Sequence, residues 1–296
     1  MLPYFAAGSP FPALMTSLPS SATLSKRDPW TLDPNIPSDQ NSGFTTGLSD
    51  AIKIAAAVLD PNNGIDNTQN DQYLSAYFGA SDENTRITVK QVFQNLVGSN
   101  TDGTGSSIVG TIKVWNDDYF IPPDGWSGVG DGVTSACQLR AMGSGKTLTA
   151  YTRTRDRSPG MHFCPKFLDQ MSQGKTLDSI ISNGCSALAN NPVMDTTAMN
   201  RNNYAFAILH EFFHLKAVTR DVTNFLCVDK AYGAWSVLRQ GGQGFNPYEN
   251  ADSFAWYAMV CFTFLLRHSL RGYQADTATA YVRQRKLWPN LWRGNK

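Results

Sequence analysis

Hydrophobic and polar positions alternate in three textures along the chain. Over residues 44–59, Leu48, Ile52, Ile54, Ala55 and Leu59 recur at helical spacing, and residues 85–97 repeat that character, so the first third predicts mainly helix. Within 107–163 the texture becomes β: the runs 108–115, 147–153 and 161–163 are rich in β-branched and aromatic residues and are separated by Gly, Asp and Pro turns. After Cys185 helical periodicity returns, with 203–216, 232–240 and 248–268 as the main segments. Residues 1–42 are rich in Pro, Ser and Asp without a sustained period, which predicts an extended leader or propeptide-like arm outside the fold. The order helices, strands, helices predicts an α+β protein, mostly helical, with a small β-sheet ahead of the helix at 203–216. It divides the chain into the leader 1–42, a helical part at 43–105 and a principal domain at 106–296.

Composition narrows the classes. With 42% hydrophobic and 17% charged residues among 296, the chain is apolar enough to bury a core. A net charge of +1 supplies no clustered positive field for phosphate, which excludes nucleic acid as the expected partner. The longest nearly apolar run, 254–266, is too short to span a bilayer and reads as a buried core helix, so no membrane partner is expected, and a monomer is. The first residues lack a basic n-region and carry Pro3, Pro10 and Pro12, so no signal peptide is read there. Two features still point to secretion: five cysteines that include Cys164 and Cys185, and the dibasic Lys26-Arg27 closing the Ser/Pro-rich leader. Lys26-Arg27 fits a processing site, or equally a flexible tail with two adjacent charges.

Several motifs are set aside. The run from Gly143 to Thr147 imitates a phosphate loop, yet position 140, where that loop needs its first glycine, is arginine, and Leu148 to Thr152 beyond it reads as strand instead of helix. A hairpin turn is the better reading. Arg153 and Arg155 share a strand face that is more often a solvated edge than a ligand contact. His268 ends a core-like helix, where histidine is favoured near the terminal carbonyls, and His162, beside Cys164, reads as structural.

His210-Glu211-Phe212-Phe213-His214 carries chemistry. Residues four apart on a helix project from one face, so both imidazoles can reach a single ion, while the intervening glutamate is offset toward a water that the ion activates. These three residues arise by chance in on the order of one chain per hundred, so context decides. Residues 204–215 are apolar nearly all round, which predicts burial, and two imidazoles with a carboxylate are costly to bury unless something satisfies them. The alternative is a core helix whose histidines bond only to backbone. A catalytic zinc needs one further protein ligand, and Asp221, Asp229, Glu249 and Asp252 lie downstream.

Asp229-Lys230-Ala231-Tyr232-Gly233 resembles the Asp-x-x-Tyr-Gly signature of the aspzincins, the deuterolysin and lysine-specific metalloendopeptidase family of mainly fungal secreted proteases. Asn250-Ala251-Asp252-Ser253 resembles a second block of that family, and Phe163-Cys164-Pro165 its cysteine-bearing strand. The resemblance covers residues 163–266, about a third of the chain. It implies a zincin-like fold and a zinc metalloendopeptidase acting on peptides or proteins. Zn2+ would be held by His210, His214 and Asp229, with Glu211 as general base and Tyr232 donating to the oxyanion. Asp252 would line the pocket for the side chain after the scissile bond, and is the second candidate for the ligand place. A helix start at Asp229 would orient its carboxylate. The resemblance also implies a Cys164–Cys185 disulfide; connectivity cannot be read from sequence, and the expectation for the rest is Cys137 paired with Cys227 and Cys261 a buried thiol in an apolar helix. The sequence departs from the family at Leu226-Cys227, usually Gly-Thr, and at Ala255, where lysine-specific members carry an acidic residue. A zincin scaffold turned to a non-proteolytic reaction or to binding is the other reading these departures leave.

Overall fold

The computed structural model describes residues 30–34, 36–98, 112–115, 137, 149–153, 160–173, 176–178, 204–240 and 245–271. In chain order these form β1 (Trp30–Leu32), α1 (Ser38–Ala56), α2 (Asp71–Phe78), α3 (Glu83–Val97), β2 (Ile112–Trp115), β3 (Ala150–Arg153), β4 (Gly160–Phe163), α4 (Pro165–Gln173), α5 (Ala205–His214), α6 (Arg220–Thr223), α7 (Ala234–Gln240) and α8 (Ala251–Arg271). The arrangement is mostly helical with a small mixed sheet, an α+β fold.

The four strands lie in the order β1-β2-β4-β3. β1, β2 and β4 run parallel, and β3 closes the row antiparallel to β4. Side chains alternate across the pleat, and Ile112, Val114, Met161 and Phe163 form the wholly buried face. Thr152 pairs with Met161, and so lies on that same face. The opposite face carries His162, stacked on Tyr151 with ring centroids 4.6 Å apart, as a structural histidine would be.

α5 runs through the centre, against α1, α8 and β3. Phe213 on α5 meets Phe93 of α3 at 5.3 Å and Phe254 of α8 at 5.1 Å, so the early helices share one core with the later ones. α1 approaches α5 at Gly47, where a Cβ would stand 2.6 Å from the Tyr204 ring and 2.7 Å from Ile208. An alanine inside a helix ordinarily gains up to about 1 kcal/mol over glycine, but overpacking a tight seam costs about 1–3 kcal/mol. Gly47→Ala is therefore expected to lower stability, read as a fall in the urea midpoint at unchanged slope; an unchanged or higher midpoint would contradict the tight seam.

β2 and β3 lie within the β-like runs 108–115 and 147–153, β4 covers the run 161–163 and one residue before it, and the apolar run 254–266 is a buried part of α8. Other expectations are corrected. Residues 30–34 and 36–42, read as leader, belong to the fold: β1 pairs with β2, Trp30 is buried, and α1 begins at Ser38. α2 falls between the two early segments of helical period; its eight residues end on Gly79 at φ 80°. Cys164 is bonded to Cys137, with Cα atoms 5.3 Å apart, so neither Cys164–Cys185 nor Cys137–Cys227 forms. Cys227 and Cys261 are buried free thiols. Lys26-Arg27, the 143–147 turn, Arg155, Cys185 and the side chains of Arg153 and His268 lie outside the described residues.

Candidate metal centre

α5 ends at the chemistry. Its helical path stops at His214, Leu215 turns extended, and the buried Thr219 hydroxyl caps the Phe213 carbonyl at 3.0 Å. His210 and His214 thus sit in the last turns, at the negative pole of the helix, which favours positive charge.

Each ring is fixed from behind. His214 Nδ1 faces the Cys227 carbonyl at 3.0 Å; a carbonyl only accepts, so Nδ1 donates. His210 Nδ1 faces Asp252 Oδ1 at 2.6 Å, which by the same logic makes it a donor to a carboxylate. The remaining nitrogen of each neutral ring then carries a lone pair, and both lone pairs point to one corner. His210 Nε2 and His214 Nε2 are 3.1 Å apart, and Asp229 Oδ1 lies 2.9 Å from the first and 3.2 Å from the second. Three electron-pair donors at such distances repel unless positive charge sits among them.

Protons on the rings can also supply that positive charge. Burial disfavours the His210 imidazolium, yet hydrogen bonds to Asp229 and Asp252 outweigh it and raise its pKa well above the ordinary value. His214 is raised likewise: burial opposes, and the Asp229 hydrogen bond and Glu211 charge prevail over the repulsion from His210. Asp229 is held well below the usual carboxylate range, because its bonds to both histidines overcome burial. The corner favours positive charge.

The donor set also fits a metal. Ligands of a tetrahedral ion with bonds of about 2.0–2.1 Å stand about 3.3–3.4 Å apart, close to the edges observed. His210, Glu211 and His214 each offer a ligand atom within 4.8 Å of one another, a group that could hold a metal ion. Asp229, 2.9 and 3.2 Å from the two ring nitrogens, stands in the same corner. Glu211 Oε2 accepts from the Thr152 hydroxyl at 2.7 Å, and this carboxylate is buried.

The other acidic candidates part ways. Asp221 is mostly exposed, 3.9 Å from Lys216, and Glu249 pairs with Lys230 at 2.8 Å. Asp252 is 4% exposed and stands behind His210, its Oδ2 accepting from the Gly233 amide at 2.6 Å. Its Oδ1 meets the far nitrogen of the ring, so Asp252 stands outside the corner formed by the two Nε2 atoms and orients the ring. Tyr232 is 63% exposed, its ring stacked over His210 at 5.9 Å. Its pKa is raised by partial burial and by the neighbouring Asp229 carboxylate.

Asp229 does not begin a helix, and Cys227 is not pinned by a disulfide. The strap from Val228 to Gly233 is held by α8. Val228 forms a parallel bridge with Asn250, and the wholly buried Asn250 side chain accepts from the amides of Lys230 and Ala231, each at 3.0 Å. Sequence reasoning missed the roles of Thr152 and Asn250. The first had only the period-2 pattern of its strand as a signal, and the second stood out only as one residue of a four-residue motif. Compared with family models and with curated proteins, the chain matches none of either.

Proposed function

We propose that this chain is a secreted zinc-dependent metalloendopeptidase of zincin type, in which His210, His214 and Asp229 hold the ion and Glu211 carries the proton. One observation carries the reading: two imidazole lone pairs and a carboxylate oxygen converge within 3.2 Å, with a second carboxylate on the same helix beside them. Two nitrogens and one oxygen from three protein side chains suit a catalytic zinc with a place left for water and substrate. When bound, zinc supplies Lewis acidity that makes water a nucleophile near neutral pH.

The residues do the rest. Glu211 takes a proton from the attacking water as its oxygen bonds to the amide carbon, and returns it to the leaving nitrogen as the C–N bond breaks. Tyr232, exposed and stacked over His210, donates its hydroxyl proton in a hydrogen bond to the developing oxyanion. β3 is the outermost strand of the described sheet, beside α5, and offers an edge along which an extended peptide can lie. Strict lysine preference is not part of the proposal, since Ala255 is wholly buried and carries no charge. The Cys137–Cys164 disulfide and the lack, among the described residues, of a helix long and apolar enough to cross a membrane are consistent with secretion.

The test is incubation with an unfolded protein, with and without a chelator, alongside metal analysis. Cleavage that stops on chelation and returns with zinc is the expected result. Zinc bound without chelator-sensitive cleavage would turn the reading to a non-proteolytic use of the same corner, and no metal at all would remove both.

A further inference from the structure

We infer that Thr152 is the positioning residue of Glu211: its hydroxyl pins one carboxylate oxygen to the sheet and leaves the other to exchange the proton. The inference rests on the reading of Glu211 as proton carrier, and goes beyond it by naming what aims that carboxylate.

Thr152 Oγ1 lies 2.7 Å from Glu211 Oε2 and 3.0 Å from the backbone oxygen of the same residue. A hydroxyl has one proton to give. The shorter contact, to an anionic oxygen, is the charge-assisted one and takes it. Glu211 is 6% exposed, so the bond forms where water competes poorly and the carboxylate most needs a donor.

The donor is itself immobilised. Thr152 is set by its antiparallel pairing to Met161, which is wholly buried, and its branched Cβ leaves few rotamers. The acceptor is set by α5. A bond between two rigid elements fixes the plane of the carboxylate to within the tolerance that proton transfer demands. It also ties the strand along which a peptide would lie to the group that acts on it. A threonine needed only to fill space would serve without its hydroxyl; the paired contacts to Glu211 argue against that.

Thr152→Val keeps the shape and removes the donor, whereas Thr152→Ser keeps the donor and removes a methyl group. The valine variant is expected to lose about 10–100-fold in kcat, the range for outer-shell partners, with KM and zinc affinity within about threefold of the parent. Serine is expected to restore kcat to within about threefold. Parental kcat in the valine variant, or serine as impaired as valine, overturns the assignment. A second measurement does not need turnover. In urea unfolding with chelator present, Thr152→Val should lower the folding equilibrium constant about tenfold more when Glu211 is present than in a Glu211→Ala background. Equal effects in the two backgrounds overturn the contact. Coupling of that size in a protein that cleaves no peptide rejects the peptidase reading and leaves Thr152 as the residue that holds Glu211.

Discussion

Glu211→Gln is expected to bind zinc as tightly as the parent chain and to lose about 10²–10⁴-fold in kcat, the usual contribution of a positioned general base. The separation follows from the geometry. The ligand corner is made by His210 Nε2, His214 Nε2 and Asp229 Oδ1, and Glu211 is not one of its three atoms. Glutamine has the same shape, and its amide oxygen can still accept from Thr152, so neither the helix nor the corner has reason to move. What disappears is a group able to accept a proton. Zinc titration against a competing chelator and steady-state hydrolysis of a peptide check the two halves separately. Turnover close to that of the parent would refute the base assignment, and a large loss of zinc would show that Glu211 is a ligand after all.

His214→Ala is expected to abolish both properties. Zinc affinity should fall by more than the about 10–100-fold that loss of an outer-shell partner brings, and cleavage should vanish at any practical zinc concentration. The ring supplies one of three ligand atoms, and its Nδ1 bond to the Cys227 carbonyl is also the link between the end of α5 and the strap that carries Asp229. Truncation removes the ligand and frees the strap together. The fold should survive, because His214 is only partly buried at a helix end while Phe212 and Phe213 beside it hold the core. Circular dichroism that matches the parent, with zinc lost, is the expected pair of results. Zinc retained within about tenfold would place the ion elsewhere.

What the chain discloses before folding depends on whether the information is local. The spacing of His210 and His214 is local, since one turn of helix is enough to put both rings on one side, and the apolar surroundings of that turn foretell its burial. The third ligand is not local. Five carboxylates lie downstream of the helix, and nothing in their periodicity says that Asp229 enters the corner while Asp221 and Glu249 meet lysines; only the resemblance singled out Asp229. Asp252 shows the same limit from the other side: its block was visible, but spacing does not tell the front of an imidazole from the back. Thr152 is 59 residues from Glu211, and a contact between an edge strand and a helix exists only once the sheet has packed. β1 escaped because three residues are too few to display a period, and the Cys137–Cys164 bond because connectivity is a property of the folded chain.

The strap from Val228 to Gly233 has almost no internal bonding, and borrows its shape from the entrance to α8 through Asn250 and Asp252. Any grip on an ion would therefore be leveraged on a helix whose seam holds Phe254 and Tyr257 wholly buried. Anything that unwinds the opening turn of α8 slackens two points of attachment at once, so heat or a substitution deep in the apolar seam would loosen the proposed metal corner through the strap without touching His210 or His214.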